Sequence, residues 1–327
     1  MNKKSLIVIF ICSTNCLGQN VVPNSGFESV TCVSDITTNT INFTDSWFDT
    51  EETQSIDVYH VCFEDEFFTP PYNVSGYSLP FKGDGMAGFI PMMVSEESTT
   101  REVLSVRLLE DLIKDSTYCI TFWIKNSYYF DYEYATDNIG VLFSGDTLKE
   151  SDVKSKVADI RSKKGKLLSA NEWVEVRGLY KANGTEKYLN FGFFGSRLET
   201  DWYFNGPDFL PNGLPAHLYY FVDNIEVVPC EGDSIKKMIL EVPNIFTPNG
   251  DTNNDYLTIK HQNIEELEMI ILNRWGQQII TFDPQTHPWD GKTASSQVSD
   301  GVYFYILRGT DIYGEPIEKY GHITIVR

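Results

Sequence analysis

The 327-residue chain is poor in histidine, with 5, and they are scattered through unrelated segments. His60, in HVCFEDE, lacks the HExxH spacing that places two zinc ligands on one helix face, so that protease class is excluded. There is no GxSxG elbow and no glycine-rich phosphate loop, which removes the common signatures of serine hydrolases and nucleotide-using enzymes. Basic residues are also scarce: 26 Lys and Arg stand against 46 Asp and Glu, a formal charge of −20. Such a field repels nucleic acid and anionic membrane surfaces, so no nucleic-acid partner is expected. Beyond the N-terminus no apolar run approaches the roughly 18 residues of a spanning helix, and the protein is not read as an integral membrane protein.

What the chain does have begins with MNKKSLIVIFICSTNCLGQN. Two lysines, a short apolar run from Leu6 to Cys12 and small residues near Gly18 read as a secretory signal over residues 1–19. Loss of Lys3 and Lys4 with that leader takes the charge from −20 to −22. A lipoprotein would need small residues before Cys12 or Cys16, and neither IFI nor STN supplies them. Of the 6 cysteines, Cys32, Cys62, Cys119 and Cys230 lie beyond the leader. An even set in an exported chain suggests disulfides, and four cysteines allow three pairings. Cys32 with Cys62, in the loop-rich first third, and Cys119 with Cys230, beside strands, is the favoured one. The plainer alternative for Cys119, in TYCITFWI, is a buried thiol.

Aromatics make up 14% of the chain, and short apolar runs bounded by Gly, Pro, Asn and Asp recur throughout. Both features predict an all-β protein. Strands are expected at 103–109, 117–124, 138–143, 173–180, 186–194 and 219–228, with one helical turn in EDLIKDS. The charged stretch 151–166 reads as a solvated loop with a short helix. The polar EGDSIKK, 231–237, separates a first unit, residues 20–230, from a second, residues 238–327. Strands are expected in the second at 255–260, 267–272, 278–282, 302–308 and 322–327, making a small immunoglobulin-like β-sandwich.

The second unit opens on NIFTPNGDTNNDYLTI, where Asn249, Asp251, Asn253 and Asp255 fall at alternate positions like early EF-hand ligands. An EF-hand starting at Asn249 needs Gly sixth and Glu twelfth; the chain offers Asn254 and Lys260, and the reading fails. With ILNRWGQQI, PWDGK, SDGVYFYIL and YGHITIVR following in order, the unit resembles the gliding-motility-associated C-terminal domain, the type B sorting domain of type IX secretion. The motif residues are Asn249, Asp251, Asn254, Asp255, Arg274, Trp275, Gly276, Trp289, Asp290 and Gly291. The resemblance implies a Bacteroidota-type bacterium, export by the leader, and passage to the outside through a type IX translocon that is the domain's partner. Thr252 stands where the family has Gly; a β-branched residue disfavours positive φ, so Asn and Asp side chains are expected to hold that turn. Trp275, Trp289, Tyr303, Phe304 and Tyr305 are expected to pack the sandwich.

The first unit, through VVPNSGFE, GDGMAGF, DNIGVLFS and YYFVDNIEV, resembles galactose-binding-like jelly rolls that serve as carbohydrate-binding modules. That resemblance implies a structural calcium at Glu28, Asp84 and Asp223; the plainer alternative is a turn cap at Glu28 and backbone bonds at Asp223. The loops 128–138 and 201–209 offer aromatic faces and hydroxyl-bonding groups, nominating Tyr129, Tyr132, Trp202 and Tyr203 as ligand residues. Their alternative is to anchor loops. No catalytic residue is assigned: the acidic cluster Glu64, Asp65, Glu66 does not define an acid–base pair. The expected function is non-enzymatic binding of a glycan or surface partner at the cell exterior. The alternatives are a structural or adhesive protein without sugar binding, and a polysaccharide-active hydrolase.

Overall fold

The computed structural model describes residues 18–34, 36, 40–50, 56–91, 101–127, 133–162, 172–195, 202–205, 218–230, 238–293 and 296–327. The predicted leader and linker therefore lie outside the described residues, Gly18 and Gln19 excepted. In chain order the first unit carries β1 (Trp47–Asp49), β2 (Asp57–His60), β3 (Tyr72–Asn73), β4 (Gly76–Tyr77), β5 (Gly85–Phe89), β6 (Val103–Arg107) and β7 (Thr117–Asn126). There follow β8 (Glu133–Thr136), β9 (Ile139–Ser144), helix α1 (Glu150–Ser155), β10 (Ile160–Arg161), β11 (Val174–Lys181), β12 (Tyr188–Phe193), β13 (Trp202–Asn205) and β14 (Tyr220–Pro229).

Two five-stranded antiparallel sheets, ordered β1-β6-β12-β9-β10 and β11-β7-β14-β5-β2, enclose the first core. β7 shows why: its burial alternates, with Tyr118, Ile120, Phe122 and Ile124 inward, the period of two that a half-buried strand requires. Across the core Phe191 of the first sheet meets Phe122 and Phe89 of the second edge-on, at 4.9 and 5.5 Å between ring centres. Asn20 starts the sandwich: its Oδ1 accepts from the amides of Val22 and Val227 and its Nδ2 donates to the Ile225 carbonyl. Disulfides join Cys32 to Cys62 and Cys119 to Cys230, with Cα separations of 5.6 and 5.3 Å.

Two local expectations change. EDLIKDS makes no helical turn: the amides of Leu112 and Asp115 bond across to the carbonyls of Glu186 and Ala182, so no helical i,i+4 ladder forms. Within 151–166, the short α1 is present, but the stretch is not merely solvated. Val153 is buried with Val103, Leu142, Leu148, Ala158 and Phe194 in a small core of its own.

The second unit carries β15 (Ile239–Glu241), β16 (Ile245–Phe246), β17 (Lys260–Gln262), β18 (Ile264–Leu272), β19 (Gln278–Phe282), β20 (Gly301–Asp311) and β21 (Pro316–Ile325). Five form the sheet β16-β21-β20-β18-β19, and β15 pairs with β17 as a ribbon. One face of the sheet buries Leu267, Met269, Ile271, Tyr303, Tyr305, Leu307 and Ile323 beneath Leu240, Phe246, Leu257 and Trp289. The stretch 255–259 is not a strand. Its Leu257 makes only a bridge to Trp289 before β17 begins at Lys260.

Candidate functional site

Three places in the described chain concentrate chemistry. The first is a pair of carboxylates where the ends of the first unit meet. Glu28 follows a turn in which Asn24 and Phe27 have positive φ, 45° and 58°. Its Oε2 accepts the Asp84 amide at 2.9 Å, and its Oε1 accepts the amides of Asp84 and Gly85 at 3.2 and 3.4 Å. Asp223, fully buried at the β14 bulge, accepts the Lys82 amide at 3.0 Å and the Asn224 amide at 2.6 Å. Burial pushes the Asp223 carboxyl up to about 7 against those N–H bonds, and the nearby Glu28 charge adds to the rise.

A Cβ on Gly26 would stand 3.5 Å from both Asp223 Oδ1 and Glu28 Oε1, and one on Gly83 would stand 2.0 Å from Glu28 Oε1. The glycines thus let the two carboxylates pack directly against the turn backbone, and at Gly83 a side chain would collide with the Glu28 carboxylate. Asp84 reaches this place through its amide, while the residue itself is exposed. Among the described residues no three His, Cys, Asp or Glu side chains are grouped as a metal would require.

The second place is the outer face of the sheet β11-β7-β14-β5-β2. The chain from Val61 to Asp84 folds back over it, and its ends meet where the Val61 amide bonds the Asp84 carbonyl at 3.1 Å. Phe81 stacks on Trp123 at 3.8 Å between ring centres, and Phe68 stacks on Tyr59 at 6.1 Å. Trp173 Nε1 donates to the Leu79 carbonyl at 3.0 Å, and Ser127 Oγ donates to the Ser75 carbonyl. Beneath this roof Asp57 Oδ2 accepts from Tyr219 Oη at 2.7 Å and Tyr59 Oη at 3.2 Å. Burial pushes Asp57 up to about 6, although both hydroxyls favour its charged form. Sequence reasoning missed this cluster, because Tyr219 is 162 residues from Asp57 and no motif joins them.

The same roof carries an aromatic display. β3 and β4 form a hairpin whose turn residue Ser75 is buried, its Oγ hydrogen-bonded with Tyr59 Oη at 3.0 Å. At its open end Tyr72 and Tyr77 pair edge-on at 5.0 Å, with 74% and 55% of their surfaces exposed. Phe67 beside them is 57% exposed, and the Val74 amide donates to its carbonyl at 3.0 Å. The acidic cluster precedes Phe67 in the chain; Asp65 spends Oδ1 on the Phe67 amide at 2.9 Å, while Glu64 and Glu66 are exposed. The available signal was the pair of tyrosines bracketing the turn residues NVSG in TPPYNVSGY.

Of the nominated ligand residues, Tyr129 and Tyr132 lie outside the described residues. Trp202 and Tyr203 lie in β13, paired with Thr136 and Ala135 of β8. That ribbon is tied to the sandwich by the Thr136 amide, which donates to Tyr220 Oη at 3.0 Å. Tyr220 pairs with Asn126 in the sheet, and Ser127, next in the chain, touches the hairpin at Ser75. The ribbon and the aromatic hairpin therefore gather at one end of the sandwich.

The third place is the motif set of the second unit. Asp255 accepts the amides of Gly250 and Thr252 at 2.7 and 2.8 Å, bonds that lower its pKa. Asn249 and Asp251 each accept the amide two residues on, at 3.0 and 2.8 Å. Side chains do hold this turn, but Thr252 still takes a φ of 74°, contrary to expectation, and Asn254 one of 54°. Trp289 is buried and its Nε1 donates to the Lys292 carbonyl at 2.7 Å. Asp290 pairs with Lys292 at 2.7 Å, and Gly291 turns the chain at a φ of 75°. Gly276 turns the β18–β19 hairpin at a φ of 77°. Tyr303 and Tyr305 pack inward as expected. Trp275 and Phe304 do not: Trp275 is exposed at the hairpin turn with the Arg274 guanidinium 4.5 Å over its ring, and Phe304 sits on the outer face of β20.

Residues 240–325 match the family described as the CHU_C Type IX secretion signal domain. Among curated proteins none matches the chain. Solved structures with similar arrangements include the CBM22-1 xylan-binding domain of Paenibacillus barcinonensis Xyn10C, at 11% identity and a TM-score of 0.36, covering 66% of this chain and 97% of that one. The K1 cleaved adhesin domain of Lys-gingipain from Porphyromonas gingivalis W83 has 14% identity and a TM-score of 0.30, with coverages of 63% and 96%. The N-terminal cellulose-binding domain of Cellulomonas fimi β-1,4-glucanase C has 9% identity and a TM-score of 0.26, with coverages of 56% and 93%. Likeness at this level carries no function across. The family match falls within the second unit.

Proposed function

We propose that residues 20–230 form a non-catalytic recognition domain for extracellular glycan, displayed outside the cell through the type IX route to which residues 238–327 address it. The supporting observation is the exposed Tyr72–Tyr77 pair on a hairpin whose turn is fixed to the sheet at Ser75. Exposed aromatics held by a rigid support offer flat apolar faces at little entropic cost, and the C–H faces of a sugar ring fit such platforms. Glu64 and Glu66 nearby in the chain accept hydroxyl hydrogen bonds, and the acid excess favours neutral over anionic polysaccharides. The β8–β13 ribbon, which carries Trp202 and Tyr203, is tied to the same end of the sandwich.

Affinity electrophoresis through xylan, mixed-linkage β-glucan, galactomannan and alginate tests this reading. Retardation by at least one neutral polymer is expected, reduced about tenfold in affinity by Tyr72→Ala with Tyr77→Ala. Absence of retardation in every polymer sinks the glycan reading. Release of reducing sugar sinks the non-catalytic one.

A structural calcium between Glu28 and Asp223 is a second proposal, favoured by the convergence of both carboxylates on Gly26, whose added Cβ would stand 3.5 Å from an oxygen of each. These two carboxylates would hold the ion with backbone carbonyls completing the six to eight oxygens that calcium takes. Its chemistry would be neutralisation of buried charge, clamping the two ends of the unit. Added calcium then raises the melting temperature, and Glu28→Gln abolishes the rise; a melting temperature indifferent to calcium and chelator contradicts it.

A further inference from the structure

Among the described residues the sheet of the second unit is covered on one side only. Strand alternation that sends Met269, Ile271, Tyr303, Tyr305 and Ile323 inward sends Ile270, Leu272, Val302, Phe304, Ile306 and Tyr320 to the opposite face. Register makes these six contiguous. Phe304 lies opposite Leu272 on one side and His322 on the other, and Ile306 lies between Ile270 and Tyr320. Val302, Phe304 and Tyr320 are 49%, 47% and 60% exposed. The solvent face of an antiparallel sheet is ordinarily polar, so a block of this kind marks a contact surface. Further along the same face the block gives way to charge. Glu268 pairs in register with Arg308, whose Nε meets Glu318 Oε1 at 3.1 Å.

The motif loop is a poorer candidate for the surface that is read. Both Asp255 oxygens, and one oxygen each of Asn249 and Asp251, are occupied by backbone amides of the loop itself. Trp289 is buried and tied to the Lys292 carbonyl. Those residues shape the domain, while among the described residues no layer covers the outer sheet face.

We propose that this outer face, centred on Phe304 and Tyr320, is the surface by which the type IX export machinery recognises the domain. The partner surface it fits is apolar at its centre, with a rim of both charge signs to meet Glu268, Arg308 and Glu318. The assignment rests on the reading of residues 238–327 as an export address.

The test uses the full chain expressed in a type IX-competent bacterium, with surface arrival measured by protease shaving of intact cells. Phe304→Asp with Tyr320→Asp is expected to lower surface arrival about tenfold or more, with the protein accumulating in the periplasm. Phe304→Tyr restores arrival, and the purified double variant keeps the parental melting temperature, because both side chains are exposed. Deletion of 238–327 serves as reference. If the deletion is exported normally, the address reading falls and the face with it. If the deletion is retained but the folded double variant is exported at the parental level, the face assignment alone is overturned. A double variant that is exported normally but changes from dimer to monomer on sedimentation identifies a self-contact and overturns it as well.

Discussion

The two units treat their outer sheet faces in opposite ways. In the first, the chain from Val61 to Asp84 roofs the sheet through the Phe81–Trp123 and Phe68–Tyr59 stacks, and exposed aromatics sit on the roof instead. In the second, nothing among the described residues covers Val302, Phe304 and Tyr320. Both sheets obey the same alternation, so the difference comes from what the loops do. A long loop that folds back moves recognition away from the strands, and short turns leave the strands themselves as the contact surface.

Removing the support of the second unit has the largest expected effect. Trp289→Ala deletes a buried indole and its bond to Lys292, costing about 3–5 kcal/mol, and lowers the melting transition of the second unit while leaving that of the first. A single unchanged transition would show that the small sandwich does not depend on this residue. Loosening the roof comes next: Cys32→Ser with Cys62→Ser removes the crosslink at its start and costs about 2–4 kcal/mol in denaturant unfolding, with faster proteolysis within 61–84.

Protonation gives a smaller effect confined to the first unit. Asp57 and Asp223 have folded-state pKa values raised to about 6 and about 7, above the ordinary 3.8. The folded state therefore binds protons more tightly than the unfolded one. The favourable contribution is full below about pH 4 and is lost as pH rises through 6 and 7. Unfolding of calcium-free protein is expected to cost on the order of 2 kcal/mol more at pH 6 than at pH 8. Asp57→Asn reduces that slope, and calcium removes the Asp223 part of it; a slope unchanged in Asp57→Asn contradicts the assignment. Smallest is Thr252→Gly, which relieves a β-branched residue at a φ of 74° and stabilises the second unit by about 1 kcal/mol in denaturant unfolding.

Much of this architecture is legible in the residues. The run TYCITFWI alternates as β7 does, and the polar EGDSIKK falls between the two described cores. The favoured disulfide pairing is the one formed. The motif order of the second unit runs through the residues, 240–325, that match the CHU_C Type IX secretion signal domain. What stays hidden is set by contacts across long separations. Asp57 meets Tyr219 only after β2 and β14 join one sheet, on either side of β5. Phe304 and Tyr305 are neighbours of the same chemical type on opposite faces, and aromatic content alone could not tell which is buried. Thr252 takes positive φ because Asp255 holds its amide, an energy that local propensity does not contain.

The contrast between roof and bare face is tested most directly by mapping polysaccharide-binding activity across surface and periplasmic fractions of cells carrying each double variant. The account predicts a crossed result. Tyr72→Ala with Tyr77→Ala reaches the surface but binds about tenfold more weakly, whereas Phe304→Asp with Tyr320→Asp binds at the parental level but stays in the periplasm. Loss of both properties in both variants, or of neither, would contradict the division of labour between the two faces.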